Sequence, residues 1–115
     1  SWKTFENFGI PTAASLIEAK SATSKPLIAS GGIRNGLQAV KAIALGAELV
    51  GIALPALREA SKGRQALSDY LQNFIEEMRI SMALVGAKNL KALRKTKPIV
   101  LGRTKDWLEQ RKIKY

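Results

Sequence analysis

The sequence has no cysteine and no histidine. Without cysteine there can be no disulfide and no thiolate metal site, which fits a cytoplasmic protein. Without histidine there is no imidazole base or ligand, so catalysis in this chain would fall to a carboxylate, a lysine, a tyrosine or a cofactor. No apolar run approaches the roughly 20 residues that a bilayer span requires. No basic-then-apolar leader is read, so neither a membrane nor secretion is expected. Paired carboxylates with acid–base logic are also missing. Glu76 and Glu77 are neighbours, which on a helix diverge by about 100°, and Glu59 and Asp69 read as surface residues.

What remains is a 115-residue chain, 46% hydrophobic, with a mean hydropathy near zero, which suits one small globular domain. The net charge is +10, and it is unevenly placed. From Lys88 onward ten Lys or Arg stand against Asp106 and Glu109, a net of +8, leaving +2 for the first 87 residues. Residues 86–115 therefore read as a basic helical tail. With no aromatic ladder, helix-turn-helix or RNA-binding pattern beside it, this tail reads as a solvated basic face, and nucleic-acid binding is kept as an alternative.

The chain is organised around Pro26-Leu27-Ile28-Ala29-Ser30-Gly31-Gly32-Ile33-Arg34-Asn35-Gly36. Leu27–Ala29 is a short apolar run suited to a central strand covered on both faces. Gly31 and Gly32 permit a tight turn and a close backbone approach. Asn35 can cap a following helix, Leu37–Leu45, which Gly46 stops. Such a strand–glycine–helix junction leaves backbone N–H groups free for an anion; it would also serve as an ordinary strand–helix turn. A second apolar run, Leu49–Ala53, ends in a small residue and leads through Leu54-Pro55 to another helix. Two parallel strands with a helix between them form a β-α-β unit. Two strand ends lying side by side, each followed by free N–H groups, match the phosphate position after strands seven and eight of a (β/α)₈ barrel.

Elsewhere, Trp2, Phe5 and Phe8 read as apolar anchors of an irregular start. Pro11 and Thr12 open a helix over 13–21, with Ala13, Leu16, Ile17 and the stem of Lys20 inward. After a short helix over 56–60, a long one runs from about Arg64 to Val85, with Leu67, Leu71, Phe74, Met78, Met82 and Val85 as its apolar stripe. Tyr70 and Met78 read as packing residues. Asn89–Arg94 is a short helix, Lys97–Gly102 an extended apolar run, and Thr104 caps a last helix over 105–110. A two-stranded unit would leave bare edges and an uncovered face. The sequence thus reads as the C-terminal portion, with strands 7 and 8 and the last helices, of a single α/β TIM-barrel domain. It is not expected to be stable as an isolated monomer.

The motifs Phe8-Gly9-Ile10-Pro11-Thr12-Ala13, Ala29-Ser30-Gly31-Gly32-Ile33-Arg34-Asn35-Gly36, Lys41-Ala42-Ile43-Ala44-Leu45-Gly46-Ala47, Gly51-Ile52-Ala53-Leu54-Pro55 and Met82-Ala83-Leu84-Val85-Gly86-Ala87 occur in one order. Over essentially its whole length the chain resembles the C-terminal third of the type 2 isopentenyl diphosphate isomerases, the archaeal members most closely. The resemblance implies a flavin-dependent (β/α)₈ barrel that interconverts isopentenyl and dimethylallyl diphosphate with reduced FMN and Mg²⁺, with NADPH as reductant. It also implies a homo-oligomer, often a tetramer. It places Gly32, Ile33 and Arg34 on the FMN phosphate after strand seven, and Ala53 and Leu54 on the matching contacts after strand eight. Arg34 either adds its charge or faces solvent while its backbone serves. The family's catalytic and metal residues belong to earlier strands, so this chain is assigned none, and alone it should be inactive. Gln38 stands where an Asp is frequent and Phe8 where a Trp is frequent; Thr12 lies near the site without being read as a ligand. Other FMN-dependent barrel oxidoreductases, such as the 2-hydroxy-acid oxidases, are the nearest alternative; those carry a catalytic His that this chain lacks.

Overall fold

The computed structural model describes residues 2–115. A 3-10 turn at Trp2–Phe5 precedes helix α1 (Thr12–Ala22), strand β1 (Ile28–Ser30), α2 (Gly36–Ala44), β2 (Leu49–Gly51), α3 (Leu54–Ala60), α4 (Arg64–Leu84), α5 (Leu90–Leu93) and α6 (Gly102–Gln110). β1 and β2 pair in parallel, with Ile28 opposite Leu49, Ala29 opposite Val50 and Ser30 opposite Gly51. The chain is therefore α/β, and its two strands form one sheet with α2 as the crossover.

Local chemistry explains most of the boundaries. Asn35 has extended backbone, and its side chain accepts the Gln38 N–H at 2.9 Å, opening α2. At the other end Gly46, at φ +117°, takes the left-handed position. Its N–H reaches Ile43 O at 3.0 Å and the Ala47 N–H reaches Ala42 O at 3.1 Å, which closes the helix. α4 stops the same way at Gly86, with Ala87 N–H on Met82 O at 2.9 Å. α3 starts at Leu54, earlier than expected, because Pro55 sits in the first turn where its missing N–H loses no helical bond.

Several expectations are corrected. Thr104 caps nothing. α6 begins at Gly102, whose φ of +59° turns the chain there, and Thr104 lies inside the first turn. The Lys97–Gly102 run lies outside any helix or strand only as far as Leu101, since Gly102 begins α6, and its Ile99 and Leu101 are exposed. Trp2, Phe5 and Phe8 are exposed too, and Phe5 and Phe8 touch each other edge to face at 6.0 Å. On α1 the buried residues are Ala14, Leu16 and Ile17, with Ala13 half-buried. Lys20 is exposed, yet its stem lies across Gly46.

The core is centred on α2. One side of it joins Leu16, Ala29, Ile33 and Phe74 around Ala39 and Ala42; the other joins Val40 and Ile43 to Ala87 and Leu93. The apolar stripe on α4 is narrower than its sequence spacing suggests. Phe74 is buried with Met78 beside it, and Met82 packs against the cluster of Val40, Ile43, Ala87 and Leu93. Leu71 and Val85, however, are 40% and 56% exposed, and Ser81 is buried with its hydroxyl donating to Glu77 O at 2.7 Å. α2 presents small residues at this contact, so the two helices meet closely along a thin strip. The sheet is covered on one face only. Ala29 is buried, whereas Ile28 and Leu49 are 66% and 62% exposed, so β1 is not covered on both faces within this chain.

Two consequences are measurable. An added Cβ at Gly36 would fall 2.5 Å from Met78 N and 2.6 Å from Glu77 Cβ. Backbone cannot yield there, so in the intact protein Gly36→Ala should destabilise by about 1–3 kcal/mol, the range for overpacking, read by denaturant unfolding. The second concerns the lock between α1 and α6. Glu18 accepts the Trp107 indole N–H at 3.0 Å and two Arg111 N–H groups at 2.9 and 2.6 Å. The Trp107 bond first, and then Arg111, hold its carboxyl below the usual range. A lowered carboxylate contributes stability that is present above its unfolded pKa and lost as pH falls through the folded one. Stability should therefore drop below about pH 4, the ordinary glutamate range. In Glu18→Gln that part of the acid limb should flatten; an unchanged pH profile would show that the lock contributes nothing.

Candidate functional site

β1 and β2 end beside each other at Ser30 and Gly51. The loops that follow enclose a cleft of about 480 Å³. The first loop contributes Gly31, Gly32, Ile33 and Arg34, and the second Ala53, Leu54 and Pro55. All five residues expected at the phosphate, Gly32, Ile33, Arg34, Ala53 and Leu54, thus line one cavity.

Gly31 and Gly32 lie at φ +99° and +73°, a region that glycine enters freely and other residues rarely. Beyond the end of β1 the Gly32 and Ile33 N–H groups have no acceptor among the described residues. The Ile33 side chain is buried in the core, so its backbone is what it offers the cleft. Leu54, in the first turn of α3, likewise has an N–H with no helical partner. This combination suits an anion, because backbone donors without a partner gather at one cavity.

Arg34 departs from expectation in one respect. Its backbone N–H donates to Gln38 Oε1 at 2.8 Å, so it is engaged within the turn. Its guanidinium folds back over the loop, with Nη1 donating to Gly32 O at 3.3 Å. What Arg34 brings to the cleft is its side-chain charge.

Three further residues line the cleft that sequence reasoning left out: Arg58, Glu59 and Tyr70. Arg58 was legible, since it follows Leu54 by four residues and so shares its helix face. Glu59 pairs with Lys62 at 2.9 Å. Tyr70, expected as packing, borders the core and also donates its hydroxyl to Arg34 O at 2.9 Å. Burial, then the Glu77 and Glu59 carboxylates, pushes its phenol up. Nothing in the spacing of α4 reveals a bond that spans 36 positions. The same helix sends Glu77 to the Gly36 N–H at 2.7 Å.

Comparison with known proteins places the chain in a family. The FMN-dependent dehydrogenase family matches residues 7–99. The isopentenyl-diphosphate delta-isomerase of Methanothermobacter thermautotrophicus is 50% identical over 107 residues, covering 93% of this chain and 31% of that protein. The enzyme of the same name from Sulfurisphaera tokodaii is 49% identical over 115 residues, covering 98% of this chain and 31% of that protein. That from Methanocaldococcus jannaschii is 47% identical over 107 residues, covering 93% and 30%. The chain spans about a third of the length of these curated relatives. Both loops that build the cleft fall inside the matched segment, and the chain belongs to the FMN-dependent dehydrogenase family.

Proposed function

We propose that this chain supplies the FMN phosphate site of an FMN-dependent isopentenyl diphosphate isomerase, which converts isopentenyl to dimethylallyl diphosphate in isoprenoid biosynthesis. The observation that carries the reading is the placing of Gly32, Ile33, Ala53 and Leu54 around one cleft at the ends of two adjacent parallel strands. Identities of 47–50% to proteins of that name support the isomerase over an oxidoreductase of the same family. In this reading β1 and β2 are strands seven and eight of a (β/α)₈ barrel, all residues belong to that single domain, and residues 86–115 form its basic helical tail. The nucleic-acid reading of the tail is not favoured, because the family match runs on to residue 99.

The cleft fits the cofactor's phosphate. Backbone N–H groups of Gly32, Ile33 and Leu54 would hold its oxygens, and Arg34 and Arg58 would balance its charge. Reduced FMN, when bound, supplies the chemistry; the residues of this chain grip and orient it. The reading brings with it Mg²⁺ at the substrate diphosphate, NADPH as reductant, a homo-oligomer such as a tetramer, and a cytoplasmic setting. None of these is sited on this chain, in which no helix among the described residues is long and apolar enough to cross a membrane.

The 115-residue chain by itself should show no isomerase turnover, and measurable turnover would overturn the assignment of catalysis elsewhere. In the intact protein, Gly32→Val tests the cradle. A Cβ there meets no closer atom than Arg34 Nη1 at 3.9 Å, so the damage comes from conformation: a β-branched residue at φ +73° is an outlier. The turn must open, and one or two charge-assisted hydrogen bonds are lost, each worth about 1.5–3 kcal/mol. FMN affinity should fall at least tenfold, measured by flavin fluorescence with folding checked by circular dichroism. Arg34→Ala should cost less, since it removes one charge and leaves the glycine turn in place. A folded Gly32→Val protein that binds FMN like its parent would sink the reading.

A further inference from the structure

The Gly31–Gly32 peptide carries no side chain to fix it. With both residues at positive φ, this unit can rotate so that its N–H and C=O exchange directions at small steric cost. Its direction decides whether the turn offers an anion a donor or a repelling carbonyl. The bond is trans, so the Gly31 C=O and the Gly32 N–H point opposite ways.

One side chain sets that direction. Thr12, from the first turn of α1, donates its hydroxyl to Gly31 O at 2.7 Å, with Ser30 O a longer second acceptor at 3.5 Å. Thr12 stands at a second hollow that Gly31, Gly32 and Ile33 also line, together with Leu16, Gln38 and Lys41. With the Gly31 carbonyl held by Thr12, the trans Gly32 N–H points away from that hydroxyl, and Gly32 also lines the cleft that holds Arg34 and Arg58. The hydroxyl is not taken up by its own helix: Pro11 is the residue at the cap of α1, and no side chain caps it.

We propose that Thr12 is a positioning residue whose hydroxyl selects the orientation of the Gly31–Gly32 peptide that offers the Gly32 N–H to the cofactor phosphate. The proposal rests on the FMN reading above. It assigns to α1 a part in anion binding although Thr12 touches no cofactor.

Riboflavin, which lacks the phosphate, separates this role from a merely structural one. In the intact protein, Thr12→Val keeps the shape of the side chain and removes the hydroxyl, and Thr12→Ser keeps the hydroxyl. FMN and riboflavin are titrated against parent and variants by flavin fluorescence. Thr12→Val should lose about threefold to tenfold in FMN affinity, the range of one net hydrogen bond, with riboflavin affinity unchanged. Thr12→Ser should restore FMN binding, and the ³¹P resonance of bound FMN should shift in Thr12→Val alone. Unchanged FMN affinity, or an equal loss for both flavins, would overturn the positioning role. A parent that binds FMN no tighter than riboflavin would overturn the phosphate reading itself, and this proposal with it. If Thr12→Val fails to fold, Thr12→Ala carries the same comparison.

Discussion

Gly36 lets the first turn of α2 lie against the backbone of α4, where a Cβ would overlap Phe74 O. Much of the site follows from that approach. At this spacing the Gly36 N–H reaches the Glu77 carboxylate, and two turns earlier on α4 the Tyr70 hydroxyl reaches Arg34 O. The turn after β1 is therefore held by α4 from one side, by Thr12 of α1 from another, and by Asn35 and Gln38 of its own helix. A loop containing two glycines loses much conformational entropy when ordered. Here neighbouring elements order it in advance, so a ligand need not.

The same bonds decide which donors remain. Glu77 takes the Gly36 N–H and Gln38 takes that of Arg34. A carboxylate at the start of α2 is favoured by the helix dipole, yet it also removes that donor from an incoming anion. The free donors lie earlier in the turn, at Gly32 and Ile33, which share the cleft with Ala53 and Leu54 of the second loop. The cradle thus sits between two strand ends more than on a helix N-terminus, which is why both strands are needed to form it.

Elements governed by neighbouring residues were legible in the sequence. Asn35 caps the helix it precedes, and Gly46 and Gly86 end the helices they follow, because each motif closes within a few residues. The five cleft residues followed from the family resemblance and the strand–loop pattern. Long-range features were not legible. Leu71 and Val85 fit a helical stripe, but α2 covers too narrow a strip to bury them, whereas Ser81, polar by type, is buried. Tyr70 and Glu77 gain their roles from residues 36 and 41 positions away. Thr104 had the residue type of a cap, but the left-handed turn at Gly102 opened the helix first.

The charge distribution separates two things that a basic sequence tends to merge. A net charge of +10 invites an anion-binding reading of the whole chain, but +8 of it lies after residue 87, while the cleft contains Arg34, Arg58 and Glu59. Free backbone N–H groups carry the anion geometry, and any residue except proline supplies one. Residue type is restricted at Gly31 and Gly32 by positive φ, and at Thr12 by the carbonyl that must be held. Under the proposed cradle Ile33 and Leu54 would serve through their main chain, while the Ile33 side chain belongs to the core. A site of this kind is specified by where the chain bends and what braces the bend, and only secondarily by the charges around it.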